Sequence, residues 1–499
     1  MKNKLKILFW PAIVILYFVS RTVNLKIIPI FTDEAIYTYW AQIALNDPAN
    51  RFISLEDGKQ PLFIWLAAIA QKFVADPLVA SRLISVFAGF GSLIGIYLLA
   101  KELFSERVAK LAIILYIILP LTLLYDRLAL FDSLLTMFGI YSTYLTVKMI
   151  KDPRLDIALL NGFAIGSAMI TKSSGNFFLY LLPFSLVLAN FKEPKLAKKF
   201  IKWFAFSLIT FLISQTIFNA LRLAPLFYII SRKNLEFIRS YSEVLKNPFE
   251  FFISNFEAIV GWIITYIGLP LFIIFTIGAT YGIVRRNSKI IYLLFLIFVP
   301  FMVEIFFNKV LYARFVLFYF PYLIIVTALA LSQIGDYFKK YQKIYLISIL
   351  LTLLIPFVTS FKLLTNPPSA NIPKNDSFQY LNAWPAGYGV DETIQFLKKE
   401  KQNGRRIYVG TEGTFGLLPF ALKIYFFKDN DIQIDGYWPV SSNEIPRQVV
   451  DSAKTQRTFF IFNETQKEII DPHLKLIAKY QKGSGNSFMR LYEVLPPNE

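Results

Sequence analysis

The 499-residue sequence has no cysteine and one histidine, His473. Disulfides and thiolate metal sites are therefore excluded, as is a metal held by several histidines. Charge is scarce as well. Charged residues make up 17% of the chain against 55% hydrophobic, and the mean hydropathy is +0.50. A soluble chain of this length carries more charge. No internal repeat is visible, which weakens an inverted-repeat transporter reading. No small-residue cleavage site follows the first apolar run, so that run reads as an uncleaved helix rather than a signal peptide.

Long apolar runs are what the chain has in abundance. Stretches near the ~20 residues that cross a bilayer recur through its first three quarters. The expected fold is a polytopic α-helical membrane protein with spans near 6–22, 78–100, 108–125, 128–148, 155–171, 175–191, 200–222, 257–283, 290–307, 311–333 and 343–363. The short apolar stretch 61–74 is expected to lie along the interface. The formal charge of +18 is assigned to loops on one side of the membrane, not to nucleic-acid binding. Those loops carry Lys101/Arg107/Lys110, Lys148/Lys151/Arg154, Lys192/Lys195/Lys198/Lys199/Lys202, Arg285/Arg286/Lys289 and Lys339/Lys340/Lys343. The positive-inside rule places them, with the N-terminus, in the cytoplasm. The loop 23–77 and everything after 363 are then extracytoplasmic.

Two domains are expected, a transmembrane domain over 1–364 and an extracytoplasmic α/β domain over 365–499. In the second, strands are predicted at 406–411, 431–437, 458–463 and 488–494. Helices are predicted at 391–402, 414–427, 444–454 and 472–480, which together suggest a mostly parallel sheet. The glycine-rich run 410–416 lacks dinucleotide and P-loop spacing and reads as a turn into a helix.

The chain's organising stretch is Phe31–Trp40, in the first sizeable polar loop. Asp33 and Glu34 open a helix whose Ile36, Trp40 and Ile43 would lie on the membrane, with Thr32 as cap. Acids in a first turn also simply favour the helix dipole. Their side chains diverge by ~100°, so one of them faces any single reacting atom as general base. Lys59, just before Pro61, sits at a helix start suited to a phosphate, and also reads as a solvated loop lysine. Asp126, Arg127 and Asp132 lie at a tight outer turn, where an ion pair with Arg127 is the plain alternative. Lys172 and Arg314 sit at outer span ends, where snorkelling alone accounts for a cation. Glu304 is an intramembrane acid whose expected partner is Lys309 or Arg314.

These residues, in this order, resemble the GT-C membrane glycosyltransferases, most of all the branch of protein O-mannosyltransferases and the lipid A aminoarabinose transferase. The matching pieces are Asp33-Glu34, Lys59-Gln60-Pro61, Arg127 to Asp132, Ile170-Thr171-Lys172 and Tyr312-Ala313-Arg314-Phe315 with Pro321 downstream. The resemblance implies an inverting transfer from a polyprenyl-phosphate-linked sugar to an acceptor hydroxyl outside the cytoplasm. It implies Asp33 as general base, supported by Glu34 and Asp132. It gives the donor phosphate to Lys59, Arg127, Lys172 and Arg314. The acceptor class, lipid, glycan or protein, stays open. The histidine ligands of the aminoarabinose branch have no counterpart here, so no metal ligands are assigned and a divalent ion is left open. The competing readings are a flippase or other transporter of the same lipids, and a membrane-anchored glycan-binding protein.

Overall fold

The computed structural model describes residues 2–190, 192, 194 and 196–496; Lys195 lies outside the described residues. Apolar runs become helices because a backbone in hydrocarbon must satisfy its own N–H and C=O groups. The first are α1 (Lys2–Thr22), α2 (Thr32–Asn46), α3 (Leu62–Ala70), α4 (Pro77–Leu103), α5 (Glu106–Ile118), α6 (Pro120–Tyr125) and α7 (Phe131–Lys151). Next come α8 (Leu155–Met169), α9 (Asn176–Leu181), α10 (Leu196–Asn219), α11 (Tyr228–Phe237), α12 (Tyr241–Lys246) and α13 (Phe252–Ile267). The apolar region ends with α14 (Leu269–Val284), α15 (Ser288–Phe307), α16 (Phe320–Tyr337) and α17 (Gln342–Thr365). Among the described residues five helices are long and apolar enough to cross a membrane, six if one bent pair counts as a single span.

That bent pair revises the expected span 257–283. α13 and α14 meet at 112° across Gly268, which has φ +80°. Asn255, near the start of α13, donates to Asn308 O (2.9 Å) just past the end of α15. Tyr266, at its other end, bonds Asp376. Both ends of α13 therefore touch the same side of the bundle, and α14 alone runs to the other. The predicted span 108–125 is also interrupted, between α5 and α6 at Pro120, which has no N–H to continue the ladder.

α4 has 27 residues and so is about 40 Å long, which separates the two sides clearly. At its start Asp76 pairs with Lys26 (3.1 Å). At its end Glu102 pairs with Lys148 (3.3 Å) and Lys151 (2.8 Å). Lys289 lies 5.9 Å from the Phe104 ring, and Arg107 pairs with Asp336. Basic groups from several loops thus gather at the end of the bundle opposite the 23–77 loop.

After α17 come α18 (Lys374–Ser377) and α19 (Val390–Lys401), then β1 (Ile407–Glu412), α20 (Leu417–Lys423), β2 (Ile432–Tyr437), α21 (Arg447–Ser452), β3 (Arg457–Phe462), β4 (Leu474–Gln481) and β5 (Phe488–Val494). The sheet order is β2-β1-β3-β5-β4. β1 is parallel to β2 and β3, whereas β5 is antiparallel to β3 and β4. The sheet is therefore mixed, and Leu474–Gln481 form an edge strand where a helix over 472–480 was expected. Lys475, Lys479 and Gln481 alternate with Leu474, Ala478 and Tyr480 in the period of a strand, broken at Ile477 by a bulge between Leu476 and Ala478.

This α/β unit packs on α2. Tyr39 stacks on Phe420 (4.8 Å), Gln42 donates to Ile424 O (2.9 Å), and the Tyr425 hydroxyl reaches Asp76 (3.3 Å). Ile36 and Trp40 are buried inside the protein and Ile43 is half-buried, so the stripe expected to lie on the membrane packs against protein instead.

Candidate active site

The first turn of α2 sends its two acids in different directions. Glu34 is fully buried and held by a fork from Arg82, with Nε at 2.8 Å and Nη2 at 2.7 Å. It also accepts from Phe31 N (3.1 Å) and Ala129 N (2.6 Å). Arg82 Nη1 donates onward to Leu25 O (2.6 Å) and Ile28 O (2.9 Å). One buried pair thus ties the 25–31 loop, α4 and the 126–130 turn together, and Glu34 has no free face for a substrate. Phe31 rather than Thr32 occupies the cap position, and the Thr32 hydroxyl donates to Pro385 O (3.1 Å).

Asp33 points the other way. Its Oδ2 accepts from Arg314 Nη1 at 2.7 Å, with Asp33 23% and Arg314 11% exposed. Asp132, at the start of α7, accepts from Lys172 Nζ at 2.6 Å. The Lys172 ammonium sits 4.4 Å from the ring of Phe315, the residue next to Arg314. Two acid–cation pairs from four remote segments therefore stand side by side. Lys59 is nearby and less constrained, 3.9 Å from Asp57 and 5.0 Å from the Phe237 ring. Its neighbour Gln60 donates to Ser173 (2.7 Å), and Leu62 N donates to Ile170 O (3.1 Å). These bonds fasten the lysine-bearing loop 59–62 to the loop that carries Lys172.

Arg127 does not join this group. Its guanidinium donates to Ser20 O (3.0 Å), Val23 O (2.8 Å) and Asn24 O (2.7 Å), closing the carbonyl end of α1. Asp126 faces Arg21 (3.6 Å), Tyr116 (3.2 Å) and Ser133 (2.9 Å), so no Asp126–Arg127 pair forms. Glu304 accepts from the Tyr319 hydroxyl (2.8 Å), not from Lys309 or Arg314. Asp33 and Asp132 each face a cation, and among the described residues no three His, Cys, Asp or Glu side chains gather to hold a metal.

Two parts of the site were not found from sequence. Arg82 is one; an arginine inside an apolar run demands an acid partner, and that signal was available. The other is the segment after α17. Asp376 is fully buried and accepts from the hydroxyls of Tyr125 (2.7 Å) and Tyr266; burial pushes its carboxyl up to about 6. Tyr380 packs its ring 4.8 Å from Phe31. Thr32 N donates to Pro385 O (3.1 Å), and Phe31 forms an antiparallel bridge with Ala386. Lys482 holds this strap from behind, donating to Trp384 O (3.0 Å), Ala386 O (2.6 Å) and Asn463 Oδ1. Burial pushes the Lys482 ammonium down to about 7, so the comparison is made below that pH, where Lys482→Met removes three bonds from a charged group. It is expected to cost about 3 kcal/mol, since a hydrogen bond to a charged group contributes roughly 1.5–3 kcal/mol and leaves acceptors buried when lost. Thermal unfolding of the purified chain measures this; an unchanged midpoint would rule out the strap as a fastened element.

Residues 58–218 match the family model of dolichyl-phosphate-mannose-protein mannosyltransferases. Similar solved structures include ArnT from Cupriavidus metallidurans in the apo state, at 13% identity and TM-score 0.59, covering 100% of both chains. ArnT bound to undecaprenyl phosphate matches at 15% identity and TM-score 0.57, again over 100% of both chains. The archaeal oligosaccharyltransferase AglB from Archaeoglobus fulgidus, in complex with an inhibitory peptide and a dolichol-phosphate, matches at 12% identity and TM-score 0.57. That match covers 92% of this chain and 69% of that one. No curated protein matches.

Proposed function

We propose that this chain, which has the fold of the GT-C glycosyltransferases, transfers a sugar from a polyprenyl-phosphate-linked donor to an acceptor hydroxyl. The observation that carries the reading is the pairing of Asp33 with Arg314 and of Asp132 with Lys172 in one place. Two carboxylates and two cations at the same point match a reaction that needs one base and a home for a leaving phosphate. The solved relatives that hold undecaprenyl phosphate and dolichol-phosphate support that choice of carrier.

In this mechanism the lipid phosphate draws Arg314 and Lys172 toward itself, with Lys59 as a third, more exposed cation. Asp33, released, accepts the proton of the acceptor hydroxyl. The acceptor oxygen forms its bond to the anomeric carbon as the bond from that carbon to the phosphate oxygen breaks. The electron pair leaves with the polyprenyl phosphate, whose growing charge the cations stabilise in a low-dielectric site. One displacement inverts the anomeric centre. Asp132 keeps Lys172 in place, and Glu34 fixes the turn from which Asp33 projects. The basic end of the bundle is cytoplasmic by the positive-inside rule. Asp33 and the C-terminal α/β unit, at the other end, then face the outside, where a carrier anchored in the membrane replaces the nucleotide sugars of the cytoplasm.

Vesicles holding the purified chain and a radiolabelled polyprenyl-phosphate sugar test the reading directly. Label covalently joined to an acceptor supports it; label that changes leaflet without transfer makes the chain a flippase instead. Arg314→Ala and Lys172→Ala should each weaken undecaprenyl phosphate binding by about tenfold or more, from the ~1.5–3 kcal/mol of a charged hydrogen bond. Lys59→Ala should weaken it less, because that side chain is more exposed. Unchanged affinity in both of the first two variants would remove the phosphate from this site.

A further inference from the structure

The α/β unit holds a cavity of about 630 Å³ that the reaction above does not use. It is an open groove along the Tyr408 and Gln433 face of the sheet at its β2 edge, flanked by α21, with Pro419 and Lys423 of α20 at its margin. Tyr408, Gln433, Asp435 and Tyr437 share that face because the register pairs Tyr408 with Gln433, Gly410 with Asp435 and Glu412 with Tyr437. Gln448 from α21 and Lys423 from α20 also line it. We propose that this cavity is a binding site for a neutral oligosaccharide, the part of a glycan acceptor remote from its reacting hydroxyl.

The chemistry of the lining selects the ligand class. Its charges balance, with Lys423 against Asp435, so nothing there favours an anion such as a nucleotide. Primary amides and hydroxyls both donate and accept, as sugar hydroxyls do. The Tyr408 and Tyr437 hydroxyls already bond one another, and Gln433 donates to Asp435 (2.7 Å), which holds these groups in a fixed array. The half-buried Tyr437 ring adds one edge of apolar surface, while Tyr408 is buried beneath and contributes its hydroxyl; the rest of the lining is mainly polar. A peptide laid on an edge strand takes its specificity from side-chain pockets; this lining is polar along its length.

Position links the cavity to the transfer site. Thr414 lines it, and Gly413 N donates to Tyr437 O (2.8 Å) at its rim. Two residues on, a Cβ placed at Gly416 would meet Thr32 Cγ2 at 3.4 Å, and Thr32 precedes Asp33. Thr414 and Gly416 are at most about 7 Å apart along the chain, so one short loop spans from the cavity to the base. Phe420 of α20 stacks on α2 while Lys423 of the same helix faces the cavity. The proposal rests on the transferase reading for its acceptor role, but binding can be measured without turnover.

The test uses the full chain in detergent with mannotriose, maltotriose and N,N′,N″-triacetylchitotriose, read by saturation-transfer NMR. At least one trisaccharide should receive saturation. Tyr437→Ala and Gln448→Ala should each weaken its binding by about tenfold or more, while Asp33→Asn leaves it unchanged. No saturation of any of the three, or equal saturation in both cavity variants, overturns the proposal. So does displacement of the sugar by a Ser/Thr-rich peptide, which would assign the cavity to a protein. Loss of binding in Asp33→Asn would move the sugar to the transfer site and overturn it too. If the trisaccharide binds but no glycosyl transfer is found, the cavity stands and the transferase reading fails.

Discussion

Asp33→Asn should abolish transfer and, at the same time, tighten the grip on the lipid phosphate. The first half follows from chemistry. Asparagine keeps the shape of the side chain but cannot take a proton, and a positioned base contributes about 10²–10⁴-fold. The second half follows from the contact between Asp33 Oδ2 and Arg314 Nη1 at 2.7 Å. With no substrate bound, Asp33 is the anion that competes with the phosphate for Arg314. A partly exposed ion pair contributes about 0.2–1 kcal/mol, so its removal should lower the Kd for undecaprenyl phosphate by up to about fivefold. Transfer rate and lipid affinity moving in opposite directions is a result that misfolding cannot imitate. Transfer at the wild-type rate would reject Asp33 as the base, and weaker lipid binding would reject the exchange of partners.

How much of this was legible beforehand depends on which force fixed each part. The apolar runs were legible because a bilayer-length helix needs so many consecutive apolar residues that little else produces them. Asp33, Asp132, Lys172 and Arg314 stand out in the sequence as candidates because ionisable groups near hydrocarbon are costly and few. Their pairing was not, since it joins residues up to 281 positions apart. Arg127 was misleading for a related reason. It has the residue type of a phosphate ligand, but whether a guanidinium turns to a substrate or to α1's last carbonyls is decided by packing. β4 was read as a helix because a strand of half-exposed alternation is locally ambiguous, and only its partner β5 settles it. The strap bearing Asp376 and Tyr380 lies in a proline-rich stretch with no periodicity, so nothing local announced that it packs on Phe31 and Thr32, next to Asp33.

Arg82 offers the second large effect, and its argument separates a residue that builds the site from one that reacts in it. Arg82→Met keeps most of the apolar stem but leaves the Glu34 carboxylate buried with Phe31 N and Ala129 N as its remaining partners. Breaking one side of a buried pair costs about 3–5 kcal/mol, because the surviving charge is uncompensated. Much of a membrane protein's fold would survive that loss, but the 25–31 loop and the 126–130 turn would come apart. Asp33 and Asp132 flank those two segments, so activity should fall with the thermal midpoint. The double variant Glu34→Leu/Arg82→Met removes both charges and should recover a good part of the lost stability, since an apolar replacement of a buried pair is often neutral or stabilising. If it also recovers measurable transfer, Glu34 is a positioning residue and Asp33 acts without it. If stability returns while transfer stays at the level of Asp33→Asn, Glu34 takes part in the chemistry, and the fully buried geometry seen here must open during turnover.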